Sequence, residues 1–293
     1  MLWVLATLIA SVAQTARNAA QAGLTGRIGT VAATAVRFIF GLPFAAIVLA
    51  IAAALTAVPM PGPASFGWVV TGAVAQMIAT GFLLMTMKGR GFGVATALSK
   101  TEPVTLALIG ALLLAEPLGW GRMGAIATAV LGILLVSGAN WSRGGWRSVA
   151  TGIAAGALFG LSAIGFRGAI LALPEGGFLI RALTVLTLTL TVQTALALAW
   201  LSVFDRQALR GIAREWRGSL AAGALGAFAS LFWFSGFALT SAANVRTLAL
   251  VEVPLAQLVS GRLFRQGASA RQWVGMALIV AGVGWLLAVA AGQ

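Results

Sequence analysis

Glu102 and Glu252 are the residues with the most chemistry to offer. Each stands inside a long apolar stretch, each has a proline close behind it (Glu102-Pro103 and Glu252-Val253-Pro254), and the two lie about half a chain apart. A carboxylate at membrane depth is costly unless it faces protein or water, so an acid kept there marks a functional site by default. Lys100 stands two residues before Glu102, and Arg246 six before Glu252. Such a cluster can hold a substrate ammonium or exchange a proton. Its other role is a tether, in which acid and cation lock helices together without improving stability.

Other residues extend the candidate site. Pro103 and Pro254 each remove a backbone donor and free a carbonyl one turn earlier, so each is expected to bend its helix, to open a cavity or only to improve packing. Pro43 has no counterpart in the second half and reads as structural. Gln14, Asn18, Gln76, Gln193 and Asn244 are polar groups within apolar stretches, suited to helix-to-helix hydrogen bonds or to substrate contacts. Phe232 and Trp233 belong to an aromatic cluster with Phe228, Phe234 and Phe237, which either packs or stacks against a substrate. Arg17, Arg37, Arg167 and Arg181 lie inside or at the ends of apolar stretches; they either snorkel to the interface or line the mouths of a pathway.

Enzymatic chemistry has little to work with. The chain has no His and no Cys, which removes imidazole catalysis, thiol chemistry and the usual zinc and haem ligand sets. No nucleophile–base pair is visible. The glycine-rich Gly89-Arg90-Gly91-Phe92-Gly93 lacks a Walker lysine–serine pair and follows no strand, so it reads as a tight turn. No enzyme activity, cofactor or metal is expected.

The elements that must position these groups follow from composition. Hydrophobic residues make up 60% of the 293 and charged residues 9%, with mean hydropathy +1.00. A water-soluble globule of this length could hardly hide that much apolar surface, so the chain reads as an all-α polytopic membrane protein. The net charge of +13 falls mostly in short loops between apolar runs. That placement suits anionic headgroups and the setting of orientation, with no nucleic-acid partner.

Stretches long enough for a bilayer give ten expected spans: Leu2–Ala20, Val31–Ala57, Phe66–Met87, Gly93–Ala115, Arg122–Gly138, Val149–Leu171, Phe178–Val203, Trp216–Leu239, Ala243–Arg262 and Trp273–Ala291. The first has no basic n-region before its apolar core and is kept in the mature fold. Placing Pro103 on Pro254 brings Gly110 onto Gly261 and Gly124 onto Gly275 at one offset; a looser match places Arg17 near Arg167 and Arg37 near Arg181. Residues 1–143 and 144–293 therefore read as two five-helix repeats. Five spans per copy is odd, so the second copy must enter the membrane inverted. The loops after spans one, three, five, seven and nine hold nearly all the loop arginine and lysine, which predicts cytoplasmic odd loops and both termini outside.

Two five-span copies, an acid–proline pair in the fourth span and a glycine-rich fifth span reading Gly275-Met276-Ala277-Leu278-Ile279-Val280-Ala281-Gly282-Val283 resemble the drug/metabolite transporter superfamily in its EamA branch. The resemblance covers essentially the whole chain and its motifs do not specify a substrate. It implies a ten-helix basket around a central cavity, with spans five and ten packed outside, and a carrier working by alternating access. It implies export of small metabolites, aromatic or other neutral amino acids first, from a bacterial cytoplasm across the inner membrane. Export of drugs or cationic solutes and a non-transporting membrane scaffold are the alternatives. One departure is that many such relatives are described with cytoplasmic termini. The partners expected are a small-molecule substrate and the lipid bilayer. The chain is expected to be a monomer, with a dimer through the glycines of spans five and ten as the alternative.

Overall fold

The computed structural model describes residues 1–90, 100, 102–115, 119–136, 146–251 and 269–291. Every regular element among them is helical: α1 (Leu2–Ile28), α2 (Thr30–Ile39), α3 (Gly41–Ala53), α4 (Pro63–Arg90), α5 (Glu102–Leu114), α6 (Trp120–Val136), α7 (Trp146–Leu171), α8 (Phe178–Phe204), α9 (Arg206–Arg214), α10 (Trp216–Leu239), α11 (Ala242–Leu248) and α12 (Ala270–Ala291). A 3₁₀ turn, Ala249–Val251, extends α11.

Local chemistry places several ends. Pro63 opens α4, where its missing N–H breaks no helical bond. Asp205 caps α9 by accepting the Ala208 N–H at 3.0 Å. Ser269 and Gln272 form a reciprocal capping box before α12: Gln272 Oε1 accepts the Ser269 N–H at 2.8 Å, and Ser269 Oγ accepts the Gln272 N–H at 3.3 Å. Between α2 and α3 the helix is interrupted at Phe40, where Pro43 has no N–H to return to the preceding turn.

Six helical stretches are long and apolar enough to cross a bilayer: Val31–Ala53, Pro63–Leu83, Ala150–Leu171, Phe178–Phe204, Trp216–Leu239 and Ala270–Ala291. Shorter apolar helices, Leu2–Gln14, Glu102–Leu114, Trp120–Val136 and Ala242–Val251, stand at the places of the other four expected spans. Large apolar side chains face outward, with Leu112 83% exposed and Ile51 61%. Apolar surface on that scale suits lipid rather than water. The chain is a multi-pass membrane protein.

Packing divides the chain into two units, each drawing on both halves of the sequence. Unit 1 is Met1–Ala73 with Gly165–Thr240; unit 2 is Val74–Ile164 with Ser241–Gln293. In unit 1, α1 runs antiparallel to α10: Leu24 lies against Gly218, Arg17 against Gly226, and Gln14 is bonded to Trp233. Glycine on α10 is what allows this approach. A Cβ at Gly223 would strike the Phe40 side chain and lie 2.6 Å from the Phe40 carbonyl carbon, so the α2–α3 junction rests on bare α10 backbone. On α7, a Cβ at Gly165 would lie 2.8 Å from Gly72 Cα, and one at Gly168 would press on the Trp68 ring. Ser65 Oγ donates to the Ala169 carbonyl at 2.9 Å between the same two helices.

In unit 2, α6 and α12 form an antiparallel pair in near backbone contact. A Cβ at Gly132 would lie 2.5 Å from the Gly275 carbonyl oxygen, one at Gly275 2.7 Å from the Gly132 oxygen, and one at Gly282 2.6 Å from the Ala129 nitrogen. Gly124 makes room for the Trp285 ring. Small residues allow this closeness in lipid, where van der Waals packing drives helix association. Ile126, Ala129, Ile279 and Leu286 fill the seam with almost no exposure. Gly132, Gly275 and Gly282 are thus spent on the contact between α6 and α12 inside the chain.

Candidate functional site

Unit 2 brings the first candidate cluster together. Glu102 is the first residue of α5 and is 8% exposed; Arg246 stands in the last turn of α11. Arg246 Nε lies 3.6 Å from Glu102 Oε1, with side chains 14% and 11% exposed. This is an ion pair, longer than a hydrogen bond with Nε. The α5 start is packed from a second side by α7, where a Cβ at Gly160 would meet Thr105 Cβ at 3.5 Å and the Glu102 carbonyl at 3.6 Å. Sequence reading sets Lys100 beside Glu102 and Arg246 near Glu252; the tertiary structure places Arg246 beside Glu102. Glu252 and Pro254 lie outside the described residues.

Pro103, expected to bend a helix from within, is second in α5 after Lys100 in a turn. Its missing N–H there falls among the donors a helix start leaves unpaired anyway. Asn244 is 3% exposed on α11, its backbone N–H donating to Ser241 Oγ at 3.2 Å as part of the helix cap. Gln76 is half-buried on α4 in this unit. Thr86 Oγ1 and Thr151 Oγ1 lie 3.0 Å apart in a part-buried hydrogen bond that sequence reading did not single out.

Unit 1 holds a second set. Trp233 Nε1 donates to Gln14 Oε1 at 3.0 Å, so two residues expected to touch substrate are bonded to each other across α1 and α10. Trp233 is 5% exposed. Phe232 is half-buried and meets Phe228 edge-on at 4.9 Å, while Phe234 stacks on Phe166 at 4.8 Å. The aromatic cluster is thus partly used in packing. Arg17 and Arg37 converge on Gly226: a Cβ there would lie 3.4 Å from Arg17 Cδ and 3.8 Å from Arg37 Cβ. Arg37 Cζ stands 4.6 Å from the centre of the Phe38 ring.

Arg167 serves α10. Its Nη1 donates to the carbonyls of Phe237 and Thr240, both at 2.6 Å. A guanidinium at a helix C-terminus satisfies orphan carbonyls and opposes the negative end of the helix dipole. This engagement is that of a tether between α7 and the end of α10. Arg181 stands on α8 with Nε buried and without a hydrogen-bond partner among the described residues. On the same helix Thr187, Thr189 and Thr194 bury hydroxyls that make no hydrogen bond among the described residues, and Gln193 is 1% exposed. The threonine-rich run from Thr184 to Thr194 was the available signal for this polar helix. Asn18 lies in α1, where its side chain is outside the described positions. Arg122, the first residue of the fifth expected span, is 7% exposed on α6.

Comparison with known proteins bears on what these clusters serve. Residues 1–138 match the model of the EamA-like transporter family. That family is one of membrane transporters, and the multi-pass helical make-up of this chain agrees with such a likeness. The whole chain is also similar in fold to a solved structure described only as "Crystal structure of protein", with TM-score 0.70 over 98% of this chain and 95% of that one, at 19% identity. That likeness concerns the fold alone. A search of curated proteins gives no match.

Proposed function

We propose that this EamA-like transporter is a secondary carrier that exports small metabolites, aromatic or other neutral amino acids first, by alternating access in a bacterial cytoplasmic membrane. The observation that carries the reading is the Glu102–Arg246 pair, an acid and a cation held together with little exposure. An amino acid presents one ammonium and one carboxylate, so a zwitterion can exchange partners with such a pair without leaving a charge uncompensated in a medium of low dielectric. A cationic solute would bind Glu102 and offer nothing to Arg246, whereas an amino acid answers both, so the pairing favours amino acids over cationic drugs. The antiparallel course of α6 and α12, the fifth and tenth expected spans, supports an inverted repeat of residues 1–143 and 144–293.

Counterflow of labelled phenylalanine, tryptophan, threonine and a lipophilic cation into liposomes holding the purified protein tests the reading. Saturable amino-acid exchange, lost in a folded Glu102→Gln variant, is the expected result. Exchange of the cation alone would replace amino acids by cationic solutes. No flux of any solute would remove the carrier reading and leave a membrane scaffold.

A further inference from the structure

The short helix α9 joins two spanning helices: α8 ends at Phe204, α9 runs Arg206–Arg214, and α10 begins at Trp216. Its place at the ends of two spans puts it at the boundary of membrane and water. Ala208 and Ile212 are buried against unit 1, while Arg206, Arg210 and Arg214 are exposed. At about 100° per residue the three arginines fan over about 80° of the helix, directly opposite the two buried residues, along about 12 Å of axis. Arg217 continues the basic surface on α10, with Cζ 5.4 Å from the centre of the Trp216 ring. Exposed apolar side chains flank it, with Phe204 71% and Trp216 51% exposed.

The acids of this region are already engaged. Asp205 caps α9, and Glu215 binds Arg27 at 3.0 Å. Arg206 spends its Nε on the Ser202 carbonyl at 2.8 Å. Arg210 and Arg214 make no hydrogen bond or ion pair among the described residues. A row of cations with its acids engaged, bordered by aromatic and aliphatic groups at the bilayer edge, matches the chemistry of a lipid whose anionic phosphate lies just above its acyl chains.

We infer that α9 and Arg217 form a binding site for anionic phospholipid headgroups. Guanidinium groups donate in pairs to phosphate oxygens, and each cation near an anionic surface adds to the attraction. Phe204 and Trp216 sit beside the acyl chains, as interfacial aromatics do. The site shares no residue with the Glu102–Arg246 pair, and the inference stands whatever solute the carrier moves.

Native mass spectrometry of the detergent-purified full chain, titrated with phosphatidylglycerol, phosphatidylcholine or inorganic phosphate, tests the site. The wild type should retain phosphatidylglycerol in preference to phosphatidylcholine, and Arg210→Gln/Arg214→Gln should weaken that retention roughly ten- to thirtyfold. The charge-matched control Lys88→Gln/Arg271→Gln should bind as the wild type does, and Arg210→Lys/Arg214→Lys should keep most of the affinity. About 1 M salt, where screening reaches about 3 Å, should weaken wild-type binding without any substitution. Equal binding by wild type and the Arg210/Arg214 glutamine variant would overturn the proposal, as would an equal loss in the control. Competition by inorganic phosphate as effective as that of the lipid would also overturn it, since the ligand would then be a soluble anion.

Discussion

Glu102 and Arg246 show how much depends on a few ångströms at the residue scale. Each is a charge with little exposure, and removing one takes from the other the partner it meets across the helices. Glu102→Gln alone should therefore destabilise the folded protein by about 3 kcal/mol, and Arg246→Gln by a comparable amount. The double variant should recover much of that loss in a thermal unfolding assay in detergent. If the pair handles substrate, the recovered protein will still fail to exchange amino acids; recovery of both stability and flux would make the pair a tether alone. Arg167 makes a different demand, because it serves two carbonyls at the end of α10. Arg167→Met should cost about 2–4 kcal/mol for two charge-assisted hydrogen bonds, read as a lowered unfolding midpoint. Flux in the surviving folded fraction should be unchanged, since the tether argument gives Arg167 no contact with substrate.

The α6–α12 pair offers a sharp contrast at the scale of elements. Gly282 and Gly284 are two residues apart on α12, yet a Cβ on Gly282 would lie 2.6 Å from the Ala129 nitrogen while one on Gly284 meets nothing within 4 Å. Gly282→Ala should destabilise by about 1–3 kcal/mol through overpacking. Gly284→Ala should be neutral or slightly stabilising, because alanine favours a helix over glycine by roughly 1 kcal/mol. Measuring the unfolding midpoints of both variants side by side removes the effect of propensity. A glycine-rich pattern announces close helix packing from sequence; which glycine is indispensable depends on the rotation of each helix about its axis.

At the scale of the whole molecule, orientation is set by charge outside the spans. The basic loops, with the arginines of α9 among them, are expected on the cytoplasmic side, which puts Gln293 outside. A phosphatase fused after Gln293 should be active and a fluorescent protein fused there should stay dark. The opposite pattern would place the arginines of α9 outside and align this chain with relatives described with cytoplasmic termini. Orientation and lipid binding are separate questions, since a headgroup site can form on either leaflet that carries anionic lipid.

The sequence alone determined the helical membrane class, because 60% hydrophobic residues in long runs admit few other solutions, and it located the apolar helices well because hydropathy is a local property. It also marked Glu102, Arg246, Trp233 and Gln14, since charge and amide groups are conspicuous where water is scarce. Only the tertiary structure decided partners. Arg246 meets Glu102 on another helix, Trp233 donates its N–H to Gln14, and Arg167 donates to the carbonyls at the end of α10. Those choices depend on which faces of distant helices meet. In apolar, glycine-rich segments many registers satisfy hydropathy equally well, and the contacts that select one are made between residues far apart in the chain.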